Sequence, residues 1–198
     1  MKLKLGNRIA LLMVAMLFLS IMAISPVHAA NPTIYMTPSV NPPAPSPYVG
    51  FKWNITTWLT GYTGVFAWEV LIKYDPAAGI NCTRAWVADF RTDYIFVNKP
   101  GLKVPVTFIA PGNAMAGDTL STQTPASSPT DPDPASLAIF EFNITKAPEK
   151  GQTLTTVLNI DNEDTFLLDD NLSEISTTKT SGYYEYKYAV VNLEVKPN

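Results

Sequence analysis

The chain reads as an all-β protein made of two antiparallel sheets packed face to face. Beyond residue 30, Val, Ile, Thr, Tyr, Phe and Trp gather in short runs separated by Pro and Gly. Within the runs, apolar and polar residues alternate with period two, the signature of a strand with one buried face. No segment of that region holds a helical period over three turns. Eight or nine such runs without a helix layer imply a sandwich, with a closed barrel as the alternative.

The first run is residues 33–37. A stretch crowded with prolines follows to residue 48 and forbids regular ladder bonding, so it reads as a surface connection. In residues 51–59, Phe51, Trp53 and Ile55 alternate with Lys52, Asn54 and Thr56. In residues 66–74, Trp68, Val70, Ile72 and Tyr74 share the parity expected of a core face, and Glu69 and Lys73 take the other. Leu71 interrupts that polar side, as it would beneath a neighbouring loop. Asp75-Pro76 ends the run, because proline removes a donor and biases its predecessor away from helix. Residues 77–103 are ambiguous, and 85–90 fit a helical turn or a strand edge.

Residues 104–110 form a strand pattern. Residues 111–136, rich in Gly, Pro, Ser, Thr and Asp, read as one long exposed loop of the kind that is usually functional or disordered. Strand patterns return at 137–145, 153–160 and 165–170. A last one spans 183–196, with a bulge where the parity shifts between Tyr188 and Val191.

Residues 1–29 stand apart. Lys2, Lys4 and Arg8 precede an apolar run at 9–25, and Val27 and Ala29 supply small residues before a cleavage point after Ala29 or Ala30. That is the layout of a secretory signal peptide. Retention as an anchor is the alternative, although the run falls about one residue short of a confident membrane span. Residues 30–198 then form one exported domain. Loss of three basic residues takes the formal net charge from −3 to −6. No basic stripe is present to meet a phosphate backbone, which argues against nucleic acid. Cys82 is the only cysteine, so no internal disulfide can form, and burial at a strand end is its expected place. Four tripeptides beginning at Asn54, Asn81, Asn143 and Asn171 match the glycan acceptor pattern.

Catalysis finds little footing. The one histidine, His28, lies in the leader, so the exported chain has none. Histidine-based triads and the common catalytic zinc sites are thereby excluded. Glycoside hydrolysis needs only two carboxylates, but nothing in the spacing brings Glu69 and Glu141 together across a cleft. No cofactor motif is present. The acidic and amide residues Asp161, Asn162, Glu163 and Asp164, with Asp169, Asp170 and Asn171 beyond a short strand, offer oxygen ligands that calcium would accept. The intervening strand separates the two groups by roughly 15–20 Å, so solvated turns are the simpler reading and a single calcium at one turn the alternative. Trp53 and Trp68 belong to the core pattern. Trp58, Trp86 and Tyr62 at strand ends, and the outward members of Tyr183, Tyr184, Tyr186 and Tyr188, are the candidates for stacking on a sugar or a protein partner.

The segment Ala67-Trp68-Glu69-Val70-Leu71-Ile72-Lys73-Tyr74-Asp75-Pro76, followed by Ile80-Asn81-Cys82-Thr83, resembles the signature of cohesin-like domains of cellulosomal and archaeal surface proteins. Weaker similarities follow in order: Pro32-Thr33-Ile34-Tyr35, Tyr48-Val49-Gly50, Leu137 to Phe142, and Phe166 to Asn171. The resemblance spans residues 35–195. It implies a nine-stranded jelly-roll sandwich related to carbohydrate-binding modules of the second and third families. It also implies non-catalytic binding of a dockerin-like protein through one sheet face. Trp68, Glu69, Tyr74, Asp75 and Pro76 are its core and turn signature. Two further readings stand beside protein binding. One is a carbohydrate-binding module. The other is a self-associating subunit of a surface layer or filament, in which the proline-rich segment is displaced or a terminal strand pairs with a neighbour.

Overall fold

The computed structural model describes residues 31–42, 48–100, 102–121, 124–128 and 130–188. The leader, the centre of the proline-rich connection and the end of the 183–196 pattern, with its expected bulge, lie outside the described residues. The described residues belong to one compact unit. No helix among the described residues is long and apolar enough to cross a membrane.

The described strands are β1 (Thr33–Thr37), β2 (Val40–Asn41), β3 (Lys52–Thr60), β4 (Ala67–Lys73), β5 (Ile80–Val87), β6 (Val106–Ala110), β7 (Asn113–Thr119), β8 (Ala135–Ile144), β9 (Thr153–Ile160), β10 (Phe166–Leu168), β11 (Thr178–Thr180) and β12 (Gly182–Lys187). They form two sheets, ordered β11-β1-β3-β8-β5 and β2-β12-β9-β4-β7-β6, with β10 also paired to β4. All pairings are antiparallel except β1 with β11 and β12 with β2. The fold is an all-β, mostly antiparallel jelly-roll sandwich. The strand count exceeds nine because β2 and β11 are short edge pieces and β9 and β10 divide one edge of β4 between them.

The alternating residues of β3 and β4 fill the interior. Trp53, Ile55 and Leu59 face Trp68, Val70 and Ile72 across the two sheets, all buried. Trp53 stacks on Phe142 and on Tyr184, at 5.8 and 5.9 Å between ring centroids. The β3–β8 register shifts between Thr56 and Trp58. At that bulge the buried Thr57 hydroxyl donates to the Ala138 carbonyl and accepts from the Ala138 N–H, taking the place of a ladder partner.

The Tyr-Asp-Pro stretch closes on itself. The Tyr74 hydroxyl donates to Asn81 Oδ1 and accepts from the Cys82 N–H, both at 3.0 Å. Between these residues lies a single 3-10 turn, Pro76–Ala78, with Asp75 accepting from the Ala77 N–H at its start and Gly79 at φ 76° at its end. The signature therefore bolts the end of β4 to the start of β5. Cys82 is buried, and burial pushes its thiol up to about 12.

Of the two readings of residues 85–90, the strand edge holds for 85–87, which are the end of β5 at the edge of the smaller sheet. One expectation is corrected. Residues 111–136 are not one exposed loop, because β7 runs through their first half with Ala114 and Ala116 fully buried. Alternation failed there for a steric reason. β7 places Ala114, Ala116 and Asp118 opposite Ile72, Val70 and Trp68, and beside such bulk only small side chains fit. The second half is also folded down: Ala126 pairs with Val65, and buried Asp131 meets Lys99 Nζ at 2.7 Å.

Candidate binding face

The parity that sends Trp68, Val70 and Ile72 inward sends Glu69, Leu71 and Lys73 to the outer face of the larger sheet. Register extends each position into a row. Leu71 lies opposite Met115, and Met115 opposite Phe108. Glu69 lies between Phe166 on β10 and Gly117 on β7, and Gly117 opposite Val106. At the far end Val40, Tyr183 and Val157 are direct cross-strand neighbours.

This face is unusually apolar for a surface. Val106, Phe108, Val157 and Val40 are 49, 54, 53 and 63% exposed, and Tyr183 is 38% exposed. Single exposed apolar residues need no explanation, whereas contiguous ones mark contact surfaces. Leu71 itself is buried. Gly117 leaves a notch in the Glu69 row, a shallow depression of about 140 Å³ lined by Ala67, Glu69, Val104, Val106, Thr119 and Phe166. Burial, and then the nearby Asp164 carboxylate, raise the Glu69 carboxyl above its ordinary value.

A charged band divides the face. Lys73 Nζ lies 2.8 Å from Asp161 Oδ2 and 3.4 Å from Asp164 Oδ2. Those aspartates belong to residues 161–164, which loop out of the strand that β9 and β10 otherwise continue. The Asp161 N–H donates to the Leu71 carbonyl and the Leu71 N–H to Thr165 Oγ1, resuming the ladder past the loop. Asp161 Oδ1 accepts from the N–H groups of Glu163 and Asp164, and Asp169 Oδ1 from those of Asn171 and Ser173. The acidic residues weighed for calcium thus close their own turns. Among the described residues no three His, Cys, Asp or Glu side chains gather for a metal ion.

The opposite face differs. Asn54, Asn81 and Asn143 lie on or beside the outer face of the smaller sheet, where Asn54 is opposite Glu141 and Asn143 is opposite Asn81. Asn171 sits in the turn after β10. Trp58 and Trp86 reach this side, but the guanidinium groups of Arg91 and Arg84 cover their rings, each 5.1 Å from the centroid. Tyr62, weighed as a sugar contact, is fully buried and donates its hydroxyl to the Pro132 carbonyl. Tyr184 is buried too, because its parity on β12 points inward. Glu69 and Glu141 occupy the outer faces of different sheets, so they cannot flank one substrate bond.

Sequence reasoning found Trp68, Tyr74 and the strand that carries them. It missed the face, since Val40, Gly117 and Met115 lie in segments without a strand pattern. The one available signal was Leu71, the apolar residue on the polar side.

Comparison with solved structures places the architecture. The chain is similar to a non-cellulosomal cohesin from the hyperthermophilic archaeon Archaeoglobus fulgidus, at 11% identity and a TM-score of 0.56 over 80% of this chain and 93% of that one. It is similar to a type II cohesin module of the adaptor scaffoldin of Acetivibrio cellulolyticus, at 16% identity and a TM-score of 0.55 over 81 and 92%. A chain of a type I cohesin–dockerin complex from Clostridium thermocellum matches at 11% identity and a TM-score of 0.54 over 79 and 94%. No family model and no curated protein matches the sequence. At these identities the likeness is one of fold, and the fold is the cohesin-type sandwich.

Proposed function

We propose that the chain is an exported, non-catalytic adhesion module that binds a folded protein through the outer face of its larger sheet. The observation that carries this reading is the exposed apolar face, with Val104, Val106 and half-buried Phe166 around the Gly117 notch, Phe108 in the next row, and Val40, Tyr183 and Val157 beyond the Lys73 band. Contiguous exposed apolar residues mark contact surfaces, and the Lys73 band between the two patches adds charge that can fix a partner's register. The cohesin-type fold supports it, and a dockerin-like domain is the partner that the sequence resemblance implies. The sugar reading draws less support, because the rings of Trp58 and Trp86 carry arginine in place of an open stacking surface.

The test is capture from the secreted fraction of the producing cells, with residues 30–198 as bait and a Val106→Lys/Val157→Lys double variant beside it. One discrete protein retained by the parent and lost by the variant supports the reading. Retention of the bait on insoluble polysaccharide with no protein captured overturns it.

A further inference from the structure

Each sheet has two edges, and three of the four are blunted. β2 has two residues and β11 three. The β5 ladder shifts register between Cys82 and Arg84, and the strand carries the Arg84 charge. Short strands, bulges and charges are the devices by which proteins keep sheet edges from pairing. β6 has none of them along its length. All but its last residue are exposed, and residues 104–117 contain no Asp, Glu, Lys or Arg.

The hairpin fixes which main-chain groups are free. β6 and β7 join through Pro111-Gly112, with Ala110 opposite Asn113. A two-residue loop closes on a hydrogen-bonded pair, and the Val104 N–H donates to the Thr119 carbonyl in the same register. Even-numbered residues of β6 therefore bond to β7. The N–H and C=O groups of Thr107 and Ile109 turn away from β7, to a side where no described strand bonds to them and a groove lined by Trp86, Val87, Asp89, Pro105 and Thr107 separates β6 from the end of β5. Pro105 and Pro111 have the same parity and bring no N–H to that edge.

From this we infer that β6 pairs antiparallel with β6 of a second copy about a two-fold axis at Phe108. Thr107 then stands opposite Ile109 of the second copy, and the symmetry repeats the pair, so four main-chain hydrogen bonds form. Phe108 faces its own copy in a non-hydrogen-bonded pair, where Cα atoms approach to about 4.5 Å and side chains pack closest. The two prolines lie three residues to either side of Phe108, so each ladder end places Pro105 against Pro111. The strand is self-complementary, and the pairing ends there as a closed dimer and does not propagate. Charge is compatible with the same place: copies with a net charge of −6 repel, and residues 104–117 add no charge of their own, with Asp89 across the groove beside Thr107 as the nearest carboxylate on that side. The rows Leu71, Met115, Phe108 of the two copies would join into one apolar stripe.

The pairing does not depend on what the outer face binds. Sedimentation equilibrium of residues 30–198 over a concentration series tests it, with Ile109→Pro and Thr107→Pro as variants. Each removes one free-edge N–H and leaves the β7 ladder and the outer face intact. The expected result is a reversible dimer in the parent, weakened at least about tenfold in both variants, with thermal melts showing both still folded. Phe108→Lys, which sets like charges on the axis, gives the same loss if a proline variant fails to fold. A parent that stays monomeric to millimolar concentration overturns the inference, as does a dimer that survives all three substitutions.

Discussion

Tyr94 donates its hydroxyl proton to Asp118 inside the sandwich, joining the segment after β5 to β7. Both side chains are buried, and the Tyr94 ring meets Trp68 edge-on at 6.5 Å. Burial raises the Asp118 carboxyl above its ordinary value, opposed by the bond from Tyr94 and by N–H groups including that of Thr119. Tyr94→Phe keeps the ring and strips the carboxylate of a donor. Loss of a buried bond to a charged group costs about 1.5–3 kcal/mol, measurable by urea unfolding.

The same pair sets a pH dependence. A carboxyl with a folded pKa above its unfolded value of 3.8 binds its proton more tightly in the native state. Its contribution to stability is therefore greatest below 3.8 and is lost as pH rises through the folded value. Asp118→Asn removes that decline, so the stability of the variant relative to the parent should climb with pH from 3.8 upward. Unfolding free energies across that range, with the difference flat, would falsify the assignment.

Lys73 and Asp161 run the opposite way. The hydrogen bond from Lys73, then those from its own turn, hold the Asp161 carboxyl below its ordinary value of 3.8. Its stabilisation is complete above that value and disappears as pH falls through the lower folded one. Asp161→Asn should cost about 1 kcal/mol at neutral pH and nothing in strong acid. Parallel acid titrations of the two proteins, followed by tryptophan fluorescence, check the convergence.

Gly117 explains part of what the sequence concealed. A Cβ there would lie 2.8 Å from the Trp68 carbonyl oxygen and 3.4 Å from Glu69 Cα. Those are backbone atoms, which cannot swing aside, so Gly117→Ala should destabilise by about 1–3 kcal/mol. The substitution also fills the notch, so partner capture should weaken more than the melting temperature alone accounts for.

The contrast between β4 and β7 shows what alternation can reveal. Trp68, Val70 and Ile72 announce a strand because bulk on one parity is the signal that pattern reading detects. Ala114 and Ala116 lie against Ile72 and Val70 and carry no such signal, because the space left beside large side chains is small. Their segment looked like a loop for the very reason that it is packed. The core was thus legible from its large half alone. The candidate face stayed hidden because it depends on register across strands whose partners lie far apart in sequence.

Lys99 and Asp131 form an ion pair with side chains only 10 and 2% exposed, tying Asp131 to the segment after β5. The Asp131 carboxylate also accepts from the Ser127 N–H. Lys99→Met leaves the carboxylate buried without its cation and should cost about 3–5 kcal/mol. Replacing both partners, Lys99→Met with Asp131→Leu, should recover most of that loss because no charge is left stranded. A double-mutant cycle in guanidinium decides it, and additive losses would show that the pair contributes nothing as a pair.

The acceptor tripeptides differ in what the fold leaves available. Asn54 and Asn171 are exposed. Asn81 has its Oδ1 engaged by the Tyr74 hydroxyl, and the Oδ1 of Asn143 is buried. A glycan on either of the last two would have to displace packed side chains at the β4–β5 junction or the end of β8. Expression in a host that modifies secreted Asn-X-Ser/Thr tripeptides should yield glycan on Asn54 and Asn171 and bare peptide at Asn143. Asn54 lies on the smaller sheet, so a chain carrying sugar there keeps the opposite apolar face open, and partner capture should be the same before and after enzymatic glycan removal. Glycopeptide mapping that finds Asn143 occupied and Asn54 bare would show that modification ignores the folded surface.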